Sequence, residues 1–147
     1  MPDQPTIRPL SMKDLDDIIK IEKSIFKGRR KSLWENGARY YIEQGEAQLN
    51  LGAELDGELV GFIIGDIRQS EFGLEEKIGW VKVLGVAPAH QGVGIGGKLG
   101  FELMENFKRQ GVKTVKTFVE WDSGDLITYF KSVGFGRDSM ISLVKKL

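Results

Sequence analysis

The residues with the clearest chemical potential form one short glycine-rich run. Glycines stand at positions 92, 94, 96 and 97, after an apolar stretch that ends at Val86, and apolar residues at helical spacing begin at Ile95. A glycine-rich turn that opens a helix exposes backbone N–H groups, and the helix dipole adds partial positive charge at the same place. The run therefore predicts a site for an anion such as a phosphate.

Three phosphate-binding motifs can be compared with this run. Gly92 to Gly97 spells G-x-G-x-x-G, the dinucleotide fingerprint. Gly92 to Lys98 spells G-x-x-x-x-G-K, but Leu99 stands where a P-loop carries the Ser or Thr that holds magnesium. The third motif, V-x-P-x-x-Q-x-x-G-x-G, is longer and is met by Val86, Pro88, Gln91, Gly94 and Gly96.

The third motif resembles the pyrophosphate loop of the GNAT superfamily of N-acetyltransferases, which use acetyl-CoA. The resemblance implies that acetyl-CoA is the co-substrate and that a strand end and the loop bind it. In this sequence these cofactor-binding residues are Leu84, Gly85, Val86, Gln91, Gly92, Val93, Gly94, Ile95, Gly96 and Gly97. Gly85 either lets the cofactor approach closely or only relieves packing.

A second family motif, N-x-x-A-x-x-L-Y-x-x-x-G-F, is present in altered form and ends at Gly134-Phe135. Ser123 takes the place of its asparagine, and Phe130 takes the place of a tyrosine that in the family often protonates the departing thiolate. The resemblance assigns both to the cofactor site, but Phe130 has no hydroxyl. Tyr129 is a candidate acid, although it lies about 100° round the helix from position 130.

The general base and the acceptor contact are less clearly marked. Family members often carry a carboxylate on the strand before the loop, where this chain has Lys82 and Val83. Glu120 is the candidate base because ligands gather at the carboxyl ends of parallel strands; the alternative is an ordinary solvated residue. In the family the segment between the first two helices lies over the acceptor, so Trp34 either contacts substrate or anchors the core or a lid.

Composition limits the other functions. The chain has 147 residues, which fits one domain over residues 1–147, and 41% of them are hydrophobic. Lys plus Arg and Asp plus Glu are both 21, so no nucleic-acid or membrane partner is expected. With no Cys and one His, a metal site is not expected either. The N-terminus lacks signal-peptide features, and we expect a cytoplasmic protein, for which a homodimer is left open.

The periodicity and the resemblance together predict the fold. We expect an α/β protein of the GNAT type, with a mixed sheet of six to seven strands, an antiparallel meander, one parallel crossover and about four helices. The basic run at 27–31 is either a solvated loop or an attractor of acidic substrate or cofactor phosphate. Strands are predicted at 6–10, 49–55, 59–67, 78–86, 113–120 and 140–144, and helices at 11–26, 33–44, 95–110 and 123–133.

These features favour transfer of an acetyl group from acetyl-CoA to a primary amine by direct attack in a ternary complex. The acceptor, small molecule or protein, stays open among a protein N-terminus, a lysine and a small-molecule amine. One alternative is a module that binds acetyl-CoA with weak or no catalysis. A remote alternative is a dinucleotide-binding domain, in which Glu120 would be the ribose-binding acid.

Overall fold

The computed structural model describes residues 4–26, 34–69, 76–120 and 122–147. Within these ranges it contains five β-strands and four α-helices, in the order predicted up to the last helix. They are β1 (Thr6–Pro9), α1 (Leu15–Phe26), α2 (Trp34–Gln44), β2 (Asn50–Leu55), β3 (Glu58–Gln69), β4 (Lys77–Val86), α3 (Ile95–Arg109), β5 (Thr114–Thr117) and α4 (Gly124–Ser132).

The strands form one sheet in the order β1-β2-β3-β4-β5. The first four strands pair antiparallel, and β5 pairs parallel with β4 after the α3 crossover. β2 and β3 are joined by a tight hairpin turn at Asp56-Gly57, an Asp-Gly pair typical of such turns, and both residues have positive φ, 52° and 78°. The antiparallel meander and the one parallel pair are therefore present as expected.

Helices cover both faces of the sheet. On one face, α3 buries Leu99, Leu103 and Phe107 against β2, β3 and β4. Gly65 and Gly79 let this helix approach closely, because a Cβ at either would lie 3.0 or 3.1 Å from the Phe107 ring. On the other face, α1 and α2 pack against a second buried cluster that includes Phe62, Ile64 and Val83. The sheet thus separates an α3 face from an α1/α2 face.

The predicted number of strands is wrong, because the described residues form five rather than six or seven. The segment from Met140 to Val144, predicted as a final strand, has no regular structure, and its large apolar side chains are exposed. A strand needs a paired edge, and β5 offers only Thr114–Thr117 where 113–120 was predicted. Near this edge an ion pair of 2.9 Å joins Lys116 and Asp138, and no ladder forms.

Candidate functional site

The parallel pair of strands separates part of the way along β4. Its register runs from Ile78↔Thr114 to Val81↔Thr117 and stops there, although β4 continues to Val86. At the branch, the Thr117 hydroxyl donates a 2.9 Å hydrogen bond to the Val81 carbonyl. In the described chain, 82–86 therefore have no strand partner on the β5 side, and their backbone groups on that side can meet a ligand. No sequence pattern marks Thr117 for this role, since threonine is an ordinary strand residue.

A β-bulge lies at the same point. On β3, Ile64 faces Val83 and Gly65 faces Val81, so Lys82 has no partner between them. Residues two apart in a regular strand point to the same face. Because of the bulge, Val81 instead packs in the α3 cluster and Val83 in the α1/α2 cluster. Bulges re-aim side chains and are common beside active sites.

The glycine-rich loop continues directly from the free part of β4. The Ala87 N–H donates to the Val60 carbonyl at 2.8 Å, and the Gln91 side-chain amide donates to the Val86 carbonyl at 3.0 Å. Gly92 and Gly94 then adopt φ values of 81° and 90°, and α3 begins at Ile95. A Cβ on either glycine would meet no atom within 4 Å, so both face open space. The free N–H groups that begin an α-helix are thus next to an open loop, which suits an anion.

The other predicted cofactor residues divide into exposed and packed positions. Val93 is 73% exposed and Gly97 faces open space, whereas the Ile95 side chain is buried in the core. A Cβ at Gly85 would lie 2.8 Å from the Phe62 ring on the α1/α2 face. The packing of Phe62 therefore explains why position 85 is a glycine. A ligand could contact Gly85 only through its backbone groups. Leu84 and Val86 are partly buried against the α3 cluster.

Helix α4 brings the altered second motif against α3. Ser123 is its N-cap residue but makes no side-chain capping bond. Phe130 is only 8% exposed and packs edge-on against Tyr129 and Phe135, with ring centroids 5.1 and 5.0 Å apart. It belongs to the core as well as to the lining of an apolar pocket of about 260 Å³ between α3 and α4. A cofactor contact at Phe130 or Ser123 stays a prediction.

Tyr129 joins α4 to the first turns of α3. Its hydroxyl donates a 2.8 Å hydrogen bond to the Gly96 carbonyl and also lies where a Cβ of Gly100 would be. Burial raises the pKa of the Tyr129 phenol. In this structure its proton is directed to the backbone of α3, so an acid role, which stays a prediction, requires that bond to break.

The candidate carboxylates are in different environments. Glu120 is exposed, three residues beyond β5, and its carbonyl accepts a 3.0 Å bond from the Ser123 N–H at the start of α4. Asp66, a carboxylate on β3, accepts a 2.8 Å hydrogen bond from Arg68 Nε. The structure thus places Glu120 after the divergence of β5, and its role as a base stays a prediction.

A group of side chains on the α1/α2 face was not assembled from the sequence. Asp66 and Arg68 on β3 lie beside Trp80 and Lys82 on β4, and the Lys82 ammonium is 5.4 Å from the centre of the Trp80 ring. Trp80 also stacks on Phe118, with ring centroids 5.2 Å apart. Residues far apart in sequence build this surface, so no local motif marks it.

Two predicted features fall outside the described part of the chain. These are the basic run at 27–31 and the side chain of Trp34, whose backbone begins α2. Over the described ranges, no group of three or more His, Cys, Asp or Glu side chains is arranged to hold a metal ion. None of the helices described is both long and apolar enough to cross a membrane.

Comparison with known proteins gives a consistent family. Residues 15–135 match the model of the family described as "Acetyltransferase (GNAT) family". The chain is 29% identical over 126 residues to a mycothiol acetyltransferase of Streptomyces avermitilis, a match that covers 86% of this chain and 32% of the relative. It is 28% identical over 119 residues to an uncharacterized N-acetyltransferase of Archaeoglobus fulgidus, covering 77% and 80% of the two chains. The chain therefore spans about a third of the length of the mycothiol acetyltransferase.

Solved structures show the same fold. The aminoglycoside acetyltransferase AAC(6')-Iy, in complex with a bisubstrate analogue containing CoA, superimposes with a TM-score of 0.79 at 14% identity, over 99% of both chains. At this identity the likeness shows the fold and leaves the acceptor undetermined.

Proposed function

The chain belongs to the acetyltransferase (GNAT) family, a family of N-acetyltransferases, and we propose that it transfers an acetyl group from acetyl-CoA to a primary amine. One observation carries the proposal: the free edge of β4 at 82–86 leads directly into a loop with positive φ at Gly92 and Gly94 and then into the start of α3. A free strand edge can hold an extended, amide-containing chain, and the loop can hold phosphates. These two features, in this order, fit acetyl-CoA.

The residues act mainly by positioning. Backbone N–H groups of the loop and of the first turn of α3 would bind the pyrophosphate, and backbone groups of 84–86 would hold the pantetheine and thioester. A backbone N–H of this edge would also stabilise the negative charge that develops on the carbonyl oxygen. With the amine held against the carbonyl, most of the rate gain comes from proximity.

The proton transfers involve one acceptor and one donor. The amine forms the new C–N bond and loses a proton, for which Glu120 is the proposed base. The C–S bond breaks, and the departing thiolate takes a proton from water or from Tyr129; a thiol with a pKa of about 8.5 leaves without a strong acid. The proposal treats residues 1–147 as one acetyltransferase domain with no metal and with no nucleic acid or membrane as partner.

The first test measures cofactor binding and turnover separately. Acetyl-CoA at about 100 times its Kd should add about 2.7 kcal/mol to the free energy of unfolding, seen as a higher melting temperature, whereas NAD should add nothing. Release of free thiol should then depend on an added amine. Stabilisation by NAD and none by acetyl-CoA contradicts the proposal. Binding of acetyl-CoA without transfer to any amine favours a binding module.

Glu120→Gln tests the proposed base. Loss of a positioned base should lower kcat by about 100-fold or more while the Kd for acetyl-CoA stays the same. Glu76→Gln is the control, because Glu76 is an exposed carboxylate just before the opposite end of β4. If the kcat of Glu120→Gln equals that of the control, Glu120 is an ordinary surface residue.

A further inference from the structure

Lys82 has an unusual position at the point where the sheet divides. It is the β4 residue that is missing from both registers: it is bulged out of the pairing with β3 and comes just after the last pair with β5. Its side chain is half-buried and lies against the face of Trp80. A strand rises about 3.3 Å per residue, so Lys82 is about 7 Å along β4 from Leu84, where the proposed thioester site begins.

Lys82 forms no ion pair within 4.0 Å with any carboxylate of the described residues. The carboxylate that acts on Lys82, Asp66, is already engaged by Arg68 at 2.8 Å. Glu22 on α1 is 6% exposed, so it presents little carboxylate surface to an incoming molecule.

The surroundings disfavour an isolated ammonium at this place. Burial lowers the pKa of Lys82, the Arg68 guanidinium lowers it further, and Asp66 opposes them only in part. An anionic group bound beside Lys82 would offset both effects. A second cation bound there would add repulsion to a site that is partly removed from water.

The acceptor reaches this surface from the α1/α2 side. If the proposed function holds, the loop, α3 and α4 take the cofactor, so the amine nitrogen must approach the free edge of β4 from the opposite face of the sheet. The polar and aromatic side chains on that face near Lys82 include Tyr41, Asp66, Arg68 and Trp80. The stacked Trp80 and Phe118 rings, the latter 80% exposed, offer apolar surface to the stem of the acceptor.

We propose that Lys82 determines the class of acceptor: the amine that this chain acetylates carries a carboxylate near its nitrogen, and the Lys82 ammonium binds that carboxylate. This inference rests on the proposed function. It separates the chain from acetyltransferases whose acceptors are polycations, because such acceptors need an anionic lining. The carboxylate can belong to a small amino acid or to the acidic first residue of a peptide.

The first experiment compares matched acceptors with the unmodified protein. The pairs are β-alanine with β-alaninamide, and a peptide that begins with Glu with the same peptide beginning with Gln; spermidine is the polycation. In at least one pair, kcat/KM for the carboxylate form should exceed that for the amide by about 10- to 100-fold, the worth of a charge-assisted hydrogen bond. The pair that responds identifies the source of the carboxylate.

Three variants connect this preference to Lys82. Lys82→Met keeps the apolar stem over Trp80 and should reduce the ratio to about one, whereas Lys82→Arg should retain most of it. Lys108→Met should change nothing, since Lys108 is an exposed α3 lysine paired with Glu105. If Lys82→Met fails to fold, the comparison of acceptors and Lys82→Arg still decide.

Several results overturn the inference while leaving the proposed function intact. One is equal or faster transfer to the amides or to spermidine in the unmodified protein. Another is transfer to amines outside the panel with none to its carboxylate-bearing members. A third is that Lys82→Met lowers kcat equally for the carboxylate and the amide member of a pair and that Lys82→Arg does not restore kcat. That result would indicate that Lys82 acts as a proton acceptor. Failure to bind acetyl-CoA would instead remove the proposed function itself.

Discussion

The glycine-rich loop, which we propose binds the cofactor, and the α1/α2 face next to it are built in opposite ways. The loop and the strand end before it form one continuous stretch, 84–97, in which backbone conformation decides the geometry. The proposed acceptor surface takes side chains from α2, β3 and β4, and its properties depend on which charges find partners. The first region is local and depends on the backbone conformation at its glycines. The second is assembled from distant residues and is sensitive to each one.

The same difference appears in how substitutions should act. In the loop, Val93 is 73% exposed and the glycine positions 92, 94 and 97 face open space. New side chains there should therefore change ligand binding and backbone conformation more than core packing. At Gly85 a single Cβ would meet Phe62 at 2.8 Å. These glycines look alike in the sequence, but the structure separates them into positions that face open space and one that faces the core.

The largest effect should come from Gly94→Val in the loop. It should weaken CoA binding by about 100-fold, because the new side chain would fill the open space before α3 and remove charge-assisted backbone hydrogen bonds. The φ of 90° at Gly94 also adds a conformational cost of about 1–2 kcal/mol to folding. Calorimetry with CoA and urea denaturation measure the two effects.

Gly111→Val is the matched control. Gly111 has a φ of 81°, also faces open space and lies beyond the other end of α3, so it should show the conformational cost without the loss of affinity. Gln91→Ala should weaken binding only a few-fold, since it removes one bond to Val86. Equal CoA affinity in Gly94→Val and Gly111→Val would mean that the phosphates bind elsewhere.

Phe130→Tyr tests whether position 130 belongs to the core or to the cofactor site. Because Phe130 is 8% exposed, a hydroxyl there should cost about 1–3 kcal/mol in the free energy of unfolding. Phe101→Tyr, at a ring that is 64% exposed, should cost almost nothing. An unchanged stability together with faster turnover would show that the ring at 130 reaches the thiolate.

The smallest effect should follow Tyr129→Phe. The variant loses the bond to the Gly96 carbonyl, and its free energy of unfolding should fall by about 1 kcal/mol while turnover changes little. Tyr40→Phe, at a ring that is 58% exposed, is the control for removal of a hydroxyl. If Tyr129→Phe abolishes turnover but still binds CoA, then Tyr129 is the acid.

Much of the fold could be predicted from the sequence because its signals are local. The Asp56-Gly57 turn, the glycines before Ile95 and the apolar spacing of α3 each act through residues a few positions apart. The number of strands could not be predicted in this way. The segment at 140–144 has strand-forming residues, but a strand also needs a neighbouring edge, and that depends on where β5 ends.

The sequence by itself determined the order of the elements up to the last helix and the backbone conformation of the glycine-rich loop, since glycine alone allows the backbone angles found at positions 92 and 94 without strain. Only the tertiary structure decided where β4 and β5 separate, that Phe130 is buried, and that Lys82 stands at the branch without a carboxylate partner in the described chain. Pairing, burial and counterions depend on residues distant in the chain, which become neighbours only when the sheet and its helices assemble.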